Sequence, residues 1–211
     1  MPKRSKSSQR WLDRQRKDYF ARSAREKGHG SRAHYKLEEL DRRFRLLRGN
    51  MVVLELGAAP GGWTLYLEQK VAKVIAVDPL PVAAGAGTVV LEGRLGEAQL
   101  DKELVQLLKG LAADARKRPL DLVLSDMAPN ISGIRTADQA RSMELVEMTT
   151  EMAFEWLKPG ATMLVKVFQG EGVDAWLAGV RKSFAKVSLV KPRASRSESR
   201  EVYAVATGFR P

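Results

Sequence analysis

The amino-acid sequence predicts an α/β protein in which a mostly parallel sheet carries helices on both faces. Two observations lead to this fold class. Short apolar runs of strand length alternate along the chain with longer segments in which apolar residues recur at helical spacing. Several of these runs end in glycine or aspartate, which is typical of the ligand-binding edge of a parallel sheet. The 211 residues, 44% of them hydrophobic, suffice for one domain with a substantial core.

The start of the chain is predicted to divide into a basic arm, residues 1–30, and a globular domain, residues 31–211. The arm is rich in Lys, Arg, Ser and Gln, a composition typical of a partly mobile segment. From residue 31 to residue 48, apolar side chains recur at helical spacing, and Gly49 is a typical helix stop. We therefore expect the domain to begin with a helix.

Six apolar runs within the domain are predicted to be strands. They cover residues 51–56, 71–77, 120–124, 161–168, 187–190 and 201–207. Helical patterns fill the intervals, from Trp63 onward, over residues 101–111 and over residues 137–157. The last two strands are joined by a polar loop and are expected to pair with each other. Strands that alternate with helices in this way form a parallel sheet covered on both faces.

Charge is unevenly distributed along the chain. Lys and Arg total 36 against 25 Asp and Glu, which gives a formal net charge of +11. The basic excess lies in residues 1–48 and again in residues 191–200, whereas the middle is nearly balanced. Two basic regions that the fold brings together would neutralise the phosphates of a polyanion. We therefore favour a nucleic-acid partner over a merely solvated basic face or a membrane surface.

The residue types that are missing narrow the class of protein further. The chain has no cysteine, which excludes disulfides, thiolate metal sites and cysteine nucleophiles. Its two histidines are too few for a metal site, so no metal is expected. No apolar run approaches the ~20 residues of a membrane span, and the polar start is unlike a signal peptide. A cytoplasmic protein is the simplest expectation.

A glycine-rich loop, residues 57–62, follows the first predicted strand. Glycines in such a loop let the backbone approach a ligand closely, although a plain tight turn would also use them. The loop departs from the G-x-G-x-x-G pattern, and Pro60 removes an amide that could bind a pyrophosphate. We therefore expect Gly57 and its neighbours to hold a ligand without phosphates, such as S-adenosylmethionine, rather than a dinucleotide.

Two aspartates stand at the predicted ends of strands. Asp78 could accept hydrogen bonds from both hydroxyls of an adenosine ribose. Asp126 could face the methionine amine or sulfonium of the cofactor, or a reacting hydroxyl. Either residue alone could simply begin a turn. Because the carboxyl ends of parallel strands share one edge of the sheet, the loop and both acids are expected to lie together.

Lys166 interrupts a run, residues 163–168, that otherwise predicts a buried strand. A lysine is almost never fully buried without a partner. Either Lys166 lies at an edge with its stem along the surface, or it has a function in the interior. We favour the functional interpretation, with Glu201 at the start of the last strand as the candidate partner.

Five segments, in order along nearly the whole chain, resemble the FtsJ/RlmE family of methyltransferases. They are Ser31-Arg-Ala-His-Tyr-Lys-Leu37, Leu56-Gly-Ala-Ala-Pro-Gly-Gly-Trp63, Ser125-Asp-Met-Ala-Pro-Asn130, Val165-Lys-Val-Phe-Gln-Gly-Glu-Gly172 and Ser199-Arg-Glu-Val-Tyr203. The resemblance implies a Rossmann-like sheet of seven strands, the last-but-one inserted antiparallel. It also implies S-adenosylmethionine as cofactor and 2′-O-methylation of a uridine ribose in 23S ribosomal RNA, on the assembled 50S subunit.

The resemblance further implies the residues of the site. The family's catalytic set maps here to Lys36, Asp126, Lys166 and Glu201, and its cofactor contacts map to Gly61, Trp63, Asp78 and Asp126. Lys166 is the expected base for the ribose hydroxyl; in its charged form it would orient the hydroxyl and stabilise the developing alkoxide. Trp63 could instead simply pack at the start of its helix.

One position departs from the family pattern. The family has Gln-Gly-Asp where this chain has Glu92-Gly-Arg94, and that aspartate contacts the adenine amino group. Arg94 cannot accept a hydrogen bond. Glu92 or another acceptor would have to compensate, unless backbone and packing alone hold the adenine. We therefore expect cofactor binding to be weaker or differently arranged around Arg94.

Other functions remain open at the level of sequence. A nucleotide-dependent oxidoreductase would share the strand, loop and acid layout, and a catalytically silent ribosome-assembly factor would explain the charge. Transfer RNA or a mitochondrial ribosomal RNA is the nearest alternative substrate. The expected partner is the large ribosomal subunit. No obligate protein partner is evident, and a monomer is expected because no long apolar stripe is left over.

Overall fold

A computed structural model describes residues 32–112, 118–196 and 198–211 of the chain. The predicted basic arm, residues 1–30, lies outside the described residues. In chain order the described elements are α1 (Ala33–Phe44), β1 (Val52–Leu56), α2 (Thr64–Leu67), β2 (Lys73–Asp78), β3 (Thr88–Glu92), α3 (Ala98–Leu111), β4 (Leu120–Ser125), α4 (Arg135–Trp156), β5 (Leu157–Phe168), α5 (Val173–Ser183), β6 (Phe184–Val190) and β7 (Glu201–Phe209).

The described strands form one sheet of seven strands in the order β3-β2-β1-β4-β5-β7-β6. Neighbouring strands are parallel except around β7, which runs antiparallel to both β5 and β6. The predicted α/β class is confirmed, including an antiparallel strand in the last-but-one position of the sheet. The chain builds outward from β1 to β2 and β3, then returns to β4 on the other side of β1. Ligands of such sheets bind at the carboxyl ends beside this reversal of strand order.

Helices cover both faces of the sheet, and each face has its own core. On one face, Leu54 of β1 packs in a cluster with side chains of α3, α4 and α5. On the other face, Val53 packs in a cluster with Leu37 of α1 and Leu67 of α2. Because the central strands are buried on both sides, consecutive residues of β1 are apolar rather than alternating with polar ones. This explains why the run 51–56 could be identified directly from the sequence.

Two elements were missing from the sequence prediction, β3 and α5. The strand β3 lies at the edge of the sheet and none of its five residues is fully buried, so its apolar signal is weak. The helix α5 directly follows Gly172, and its buried residues are spaced three and four apart over only 11 residues. The predicted helix after the glycine-rich loop shrinks to a single turn, α2. None of the described helices, including the 22-residue α4, is long and apolar enough to cross a membrane.

Candidate active site

The carboxyl ends of β1, β2, β3 and β4 border a cavity of about 590 Å³. Gly57 follows β1, Asp78 ends β2 and Asp126 follows β4, and all three line the cavity. Further parts of the wall come from the loop after β3 and from α4, through Arg94, Leu95, Glu144, Leu145 and Met148, and from the segments after β2 and β4. Cavities of about 300–1,000 Å³ accept small-molecule ligands. The structure thus brings together the glycine-rich loop and both aspartates, as expected for a parallel sheet.

The glycine-rich loop is fixed to the neighbouring strands by short polar contacts. The Gly57 amide donates to the Val77 carbonyl at 2.9 Å, and the Ala59 amide donates to Asp78 Oδ2 at 3.0 Å. Gly57 has a φ of +77°, and a Cβ there would lie 2.8 Å from the Met127 backbone nitrogen. Glycine is therefore required at this position by both its backbone conformation and the close approach of the loop after β4.

Gly61, within this loop, and Trp63, directly after it, do not line the cavity. A Cβ at Gly61 would collide with the Ala83 carbonyl oxygen, which places this glycine against the segment after β2. Trp63 is 2% exposed, its indole N–H donates to the Ala33 carbonyl at 2.6 Å, and its ring packs against Tyr203. Trp63 therefore packs at the start of α2, the simpler of its two interpretations. A direct contact of Gly61 or Trp63 with the cofactor stays a prediction.

A buried lysine and a carboxylate meet between β4 and β5. Lys166 Nζ lies 3.0 Å from Asp126 Oδ1, and it donates to the Asp126 backbone carbonyl at 2.5 Å. The Lys166 side chain is only 7% exposed, so burial requires a partner of this kind. The prediction that Glu201 is that partner is wrong. Glu201 lies opposite Phe168 in the antiparallel register, two residues beyond Lys166.

A second ion pair joins α1 to the start of β7. Lys36 Nζ lies 2.8 Å from Glu201 Oε1, and both side chains are largely buried. The structure therefore gathers all four residues of the predicted catalytic set into two adjacent ion pairs. Their order along the chain, from α1 to β7, gave no indication of which lysine pairs with which acid.

The hydroxyl of Tyr203 links the two ion pairs. It donates to Asp126 Oδ1 at 2.6 Å and accepts from Lys36 Nζ at 3.1 Å. Tyr203 is fully buried and lies opposite Lys166 in the register of β5 and β7. The sequence analysis did not single out this residue. Its spacing of two from Glu201 was an available signal, because residues i and i+2 of a strand share a face.

Pairing fixes the charges of this cluster. Burial acts to raise the pKa of Asp126, but the ammonium groups of Lys166 and Lys36 and the Tyr203 hydroxyl hold it below its ordinary value. Burial also acts to raise the pKa of Glu201, but the charge and hydrogen bond of Lys36, together with the charge of Lys166, hold it below its ordinary value. Burial, with a contribution from Asp126, raises the pKa of Tyr203 well above its ordinary value. At neutral pH both carboxylates are therefore ionised, and the phenol keeps the proton that it donates.

Glu55 is a buried carboxyl group, 1% exposed, in the last-but-one position of β1, two residues before Gly57. Thr64 Oγ1 donates to its Oε2 at 2.7 Å, and it forms no ion pair with any of the described residues. Burial raises the pKa of Glu55 to about 8, the hydrogen bond from Thr64 offsets this only in part, and the charges of Asp126 and Asp78 add to it. At neutral pH Glu55 is therefore mostly protonated. The negative charge of this region stays on the two aspartates that line the cavity.

Arg94, the residue that departs from the family pattern, lines the cavity at the end of β3. Its backbone amide donates to Glu97 Oε2 at 3.1 Å. Glu92, one of the acceptors expected to compensate for Arg94, is exposed and does not line the cavity. Glu92 is therefore not the compensating acceptor, which leaves another acceptor in the wall, or backbone and packing alone, as the expected ways to hold the adenine.

The fold and the site together define a Rossmann-like methyltransferase: a sheet with β7 inserted antiparallel, and a ligand cavity at the carboxyl ends of its parallel strands. A family profile described as FtsJ-like methyltransferase matches residues 30–209, and the chain belongs to this family. The family resemblance found in the sequence is thereby confirmed. S-adenosylmethionine is the methyl donor, as the resemblance implied.

Known relatives match the chain over its full length. It is 46% identical over 211 residues to ribosomal RNA large subunit methyltransferase E of Stutzerimonas stutzeri (strain A1501), with 99% of each chain covered. It is 45% identical over 210 residues to the protein of the same name from Marinobacter nauticus, with 98% of each covered. A solved structure assigned as a ribosomal RNA methyltransferase from Plasmodium falciparum has a TM-score of 0.72 at 26% identity, and the match covers 85% of this chain and 98% of that one.

The link between the two ion pairs predicts the effect of removing one hydroxyl. Tyr203→Phe leaves the ring in place but takes away the donor to Asp126 and the acceptor of Lys36. We expect the free energy of unfolding to fall by about 1–3 kcal/mol, the cost of leaving buried polar groups unpaired. Urea denaturation at pH 7 measures it. Tyr66→Phe, which removes a hydrogen bond to the partly exposed Asp41, is the comparison and should cost less. Equal losses in the two variants would contradict the linking role.

The protonated state of Glu55 predicts a pH dependence of stability. Between its unfolded value near 4.5 and its folded pKa of about 8, the unfolded chain releases this proton and the folded chain keeps it. Stability therefore falls as pH rises through this window and is level above it. Glu55→Gln keeps an acceptor for Thr64 but cannot titrate. The free energy of unfolding of Glu55→Gln should exceed that of the wild type by little at pH 4.5 and by about 3 kcal/mol at pH 7.

Urea denaturation of both proteins at several pH values between 4.5 and 8 measures this difference. Glu92→Gln, at an exposed carboxylate, is the control and should follow the wild-type curve. If the curves of Glu55→Gln and the wild type stay parallel across the window, Glu55 is not protonated in the folded protein.

Proposed function

We propose that the chain methylates the 2′-hydroxyl of a uridine ribose in 23S ribosomal RNA, on the assembled 50S subunit. One observation carries this proposal: Asp126 lines the cofactor cavity and is also the acid of the buried lysine cluster. A carboxylate shared in this way brings the cofactor cavity and the cluster together at one residue. The curated relatives are named for the large ribosomal subunit, and this supports the substrate.

The cavity has the groups that S-adenosylmethionine requires. Asp78 Oδ1 and Oδ2 each accept one backbone amide, from Leu80 and Ala59, and each oxygen keeps a lone pair for a ribose hydroxyl. Gly57 leaves the wall open for close approach, and the leucine and methionine side chains of the wall suit the adenine ring. When bound, S-adenosylmethionine supplies an electrophilic methyl group on its sulfonium sulfur.

Lys166 is the residue that we assign to the ribose hydroxyl. A charged lysine has three N–H donors, and Asp126 takes two of them, through its carboxylate and its backbone carbonyl. The third donor remains for the 2′-oxygen. From there Lys166 orients the hydroxyl and stabilises the negative charge that develops on oxygen. In the neutral form of Lys166, with one proton given up to solvent, the same position carries the lone pair that takes the hydroxyl proton as the oxygen–methyl bond forms and the methyl–sulfur bond breaks.

Lys36, Glu201 and Tyr203 hold this pair in position. Tyr203 remains a phenol, so its hydroxyl keeps Asp126 Oδ1 fixed relative to Lys166. Lys36 bonds to Glu201 and to Tyr203, which leaves it one donor for the ribose or a neighbouring phosphate. Groups that are held before the substrate arrives need little rearrangement during reaction, and alignment of this kind accounts for a large share of catalysis.

A basic groove beside the ion pairs is the surface that we assign to the RNA backbone. It is lined by residues of α1 and of the segment after β6, namely Glu39, Arg42, Arg43, Lys191 and Arg193. The Arg193 amide donates to Glu39 Oε2 at 2.8 Å, which fastens the two segments together. Lys36 and Arg43 are seven residues apart on α1 and share a face, so the groove leads to the ion pairs. The predicted contact of residues 1–30 with RNA lies outside the described residues and remains part of the proposal.

We further propose that the chain acts as a monomer without an obligate protein partner, and in the cytoplasm. The proposed substrate supports the location, since the reaction requires access to large ribosomal subunits. The absence of cysteine suits a reducing compartment.

The first test is methyl transfer from radiolabelled S-adenosylmethionine to large ribosomal subunits that lack the modification, followed by mapping of the label. Label on a single uridine 2′-oxygen supports the proposal. Label only on transfer RNA supplied in parallel would mean that the substrate is transfer RNA rather than the large ribosomal subunit. Cofactor binding without label on any RNA would favour a silent assembly factor.

In the same assay, Lys166→Ala should lower the turnover number by about 10²–10⁴-fold, because the hydroxyl loses its orienting and proton-accepting group. Its calorimetric affinity for S-adenosylmethionine should change little, since Lys166 does not line the cavity. Lys158→Ala is the matched control, because Lys158 is also in β5 but pairs with Asp121 away from the cavity. Turnover within a few-fold of the wild type in Lys166→Ala would refute the assigned role.

The basic groove predicts a salt effect. Arg43→Ala removes one phosphate contact, so binding to large subunits should weaken, and the slope of log affinity against log salt should fall by about 0.7. Filter binding over a series of KCl concentrations measures both quantities. Arg181→Ala removes an exposed arginine from α5, on the opposite face of the sheet, and should leave the slope unchanged. Equal slopes for Arg43→Ala and the wild type would place the RNA backbone elsewhere.

A further inference from the structure

Two side chains of opposite charge lie on the rim of the cofactor cavity, away from the ion pairs. Arg94 comes from the loop after β3, and Glu144 comes from α4. Both are exposed, and within the described parts of the chain neither the guanidinium nor the carboxylate forms an ion pair or a side-chain hydrogen bond. Both also border the adjoining depression lined by Asn130 and Arg141. A donor group and an acceptor group thus border the same opening without engaging each other.

The fold holds these two segments close together. A Cβ at Gly96, in the loop that carries Arg94, would lie 3.5 Å from the Met148 methyl group. Glu144 is four residues before Met148 on α4, and residues spaced i and i+4 lie on the same face of a helix. The loop after β3 and the Glu144 face of α4 are therefore packed against each other.

The walls between the two charged groups are apolar. Leu95, Leu145 and Met148 all line this part of the cavity, and Leu80 lies on the β2 side. Aliphatic and thioether side chains of this kind pack against flat aromatic rings. A slot with apolar walls and with one donor and one acceptor at its mouth fits a heteroaromatic ring that carries an amino group beside a ring nitrogen. Adenine has this arrangement, with its 6-amino group as donor and the adjacent ring nitrogen as acceptor.

The remaining acids of the wall are already assigned. Among the described residues that line the cavity, the carboxylates are Asp78, Asp126 and Glu144. Asp78 ends β2, where the ribose is expected, and Asp126 is fixed by Lys166 and Tyr203. Glu92 is exposed and does not line the cavity, and Arg94 cannot accept a hydrogen bond. Glu144 is thus the carboxylate among the described lining residues that remains for the role of the missing acid.

We propose that Glu144 accepts a hydrogen bond from the 6-amino group of the cofactor's adenine, while Arg94 donates to the neighbouring ring nitrogen. The inference rests on the use of S-adenosylmethionine, and it assigns the recognition of adenine to a pair of residues on two different elements. The two residues together select one orientation of the ring. In that orientation the 6-amino group faces the carboxylate of Glu144 and the ring nitrogen faces the guanidinium of Arg94. A 6-oxo purine reverses both groups and meets Glu144 with an acceptor.

Calorimetric titration without RNA tests this pairing separately from methyl transfer. The probes are S-adenosylhomocysteine and S-inosylhomocysteine, in which a 6-oxo group replaces the amino group. Wild type should prefer the adenosine compound by about 10-fold or more, since the 6-oxo compound leaves mismatched polar groups facing each other. Glu144→Ala should reduce this preference to about 3-fold or less. Glu147→Ala, at an exposed residue of α4 that does not line the cavity, is the matched control and should keep it.

A double variant tests the same pairing from the Arg94 side of the cavity. Arg94→Asp in the Glu144→Ala background supplies a carboxylate at the position where the family has one, and it should restore the preference for the 6-amino compound. Thermal unfolding without ligand should be similar for all the variants, because both sites are exposed. A preference unchanged in Glu144→Ala overturns the inference but leaves the cofactor assignment standing. Failure of the wild type to bind S-adenosylhomocysteine would overturn both.

Discussion

The burial of two lysine ammonium groups is the constraint on which the rest of the site depends. Lys166 in β5 and Lys36 in α1 are both removed from water, and each therefore requires a carboxylate at contact distance. Asp126 meets this requirement because β4 and β5 are neighbouring parallel strands. Glu201 meets it because β7 is inserted antiparallel beside β5, which brings the start of β7 to the carboxyl end of β5. The hydroxyl of Tyr203 then joins the pairs, so that no one of these residues can move without disturbing the others.

Three carboxyl groups, those of Glu55, Asp78 and Asp126, lie near the ends of β1, β2 and β4, and they do not all carry a charge. Asp126 keeps its charge because two lysines face it, whereas Glu55 is buried with only a threonine hydroxyl as its hydrogen-bond partner. Its neutrality prevents a third charge from accumulating beneath the glycine-rich loop. The same type of side chain therefore serves as a fixed anion at one strand end and as a neutral hydrogen-bonding group one strand away, according to its surroundings.

The cavity is built from segments that are far apart in the chain, and its two ends differ in character. The end beside the ion pairs is formed by largely buried side chains that ion pairs and hydrogen bonds join to one another. The end beside β3 is formed by exposed side chains on a loop and on the outer surface of α4. Variation between relatives is tolerated most easily at such an end, because an exposed residue can change without leaving a buried group unpaired. The replacement of an acid by Arg94, with Glu144 opposite, is consistent with this difference.

The sequence by itself determined the order and the type of most elements, the glycine-rich loop, and Asp78 and Asp126 as strand ends. Strands buried on both faces are continuous apolar runs, and the residues that end them are read directly from the chain. The tertiary structure alone decided that Lys166 pairs with Asp126 rather than Glu201, and that Trp63 packs against Tyr203 instead of lining the cavity. It also placed Tyr203 between the ion pairs and Glu144 on the cavity wall. Pairings across a sheet depend on register and on the insertion of β7, and neither leaves a periodic signal in the sequence.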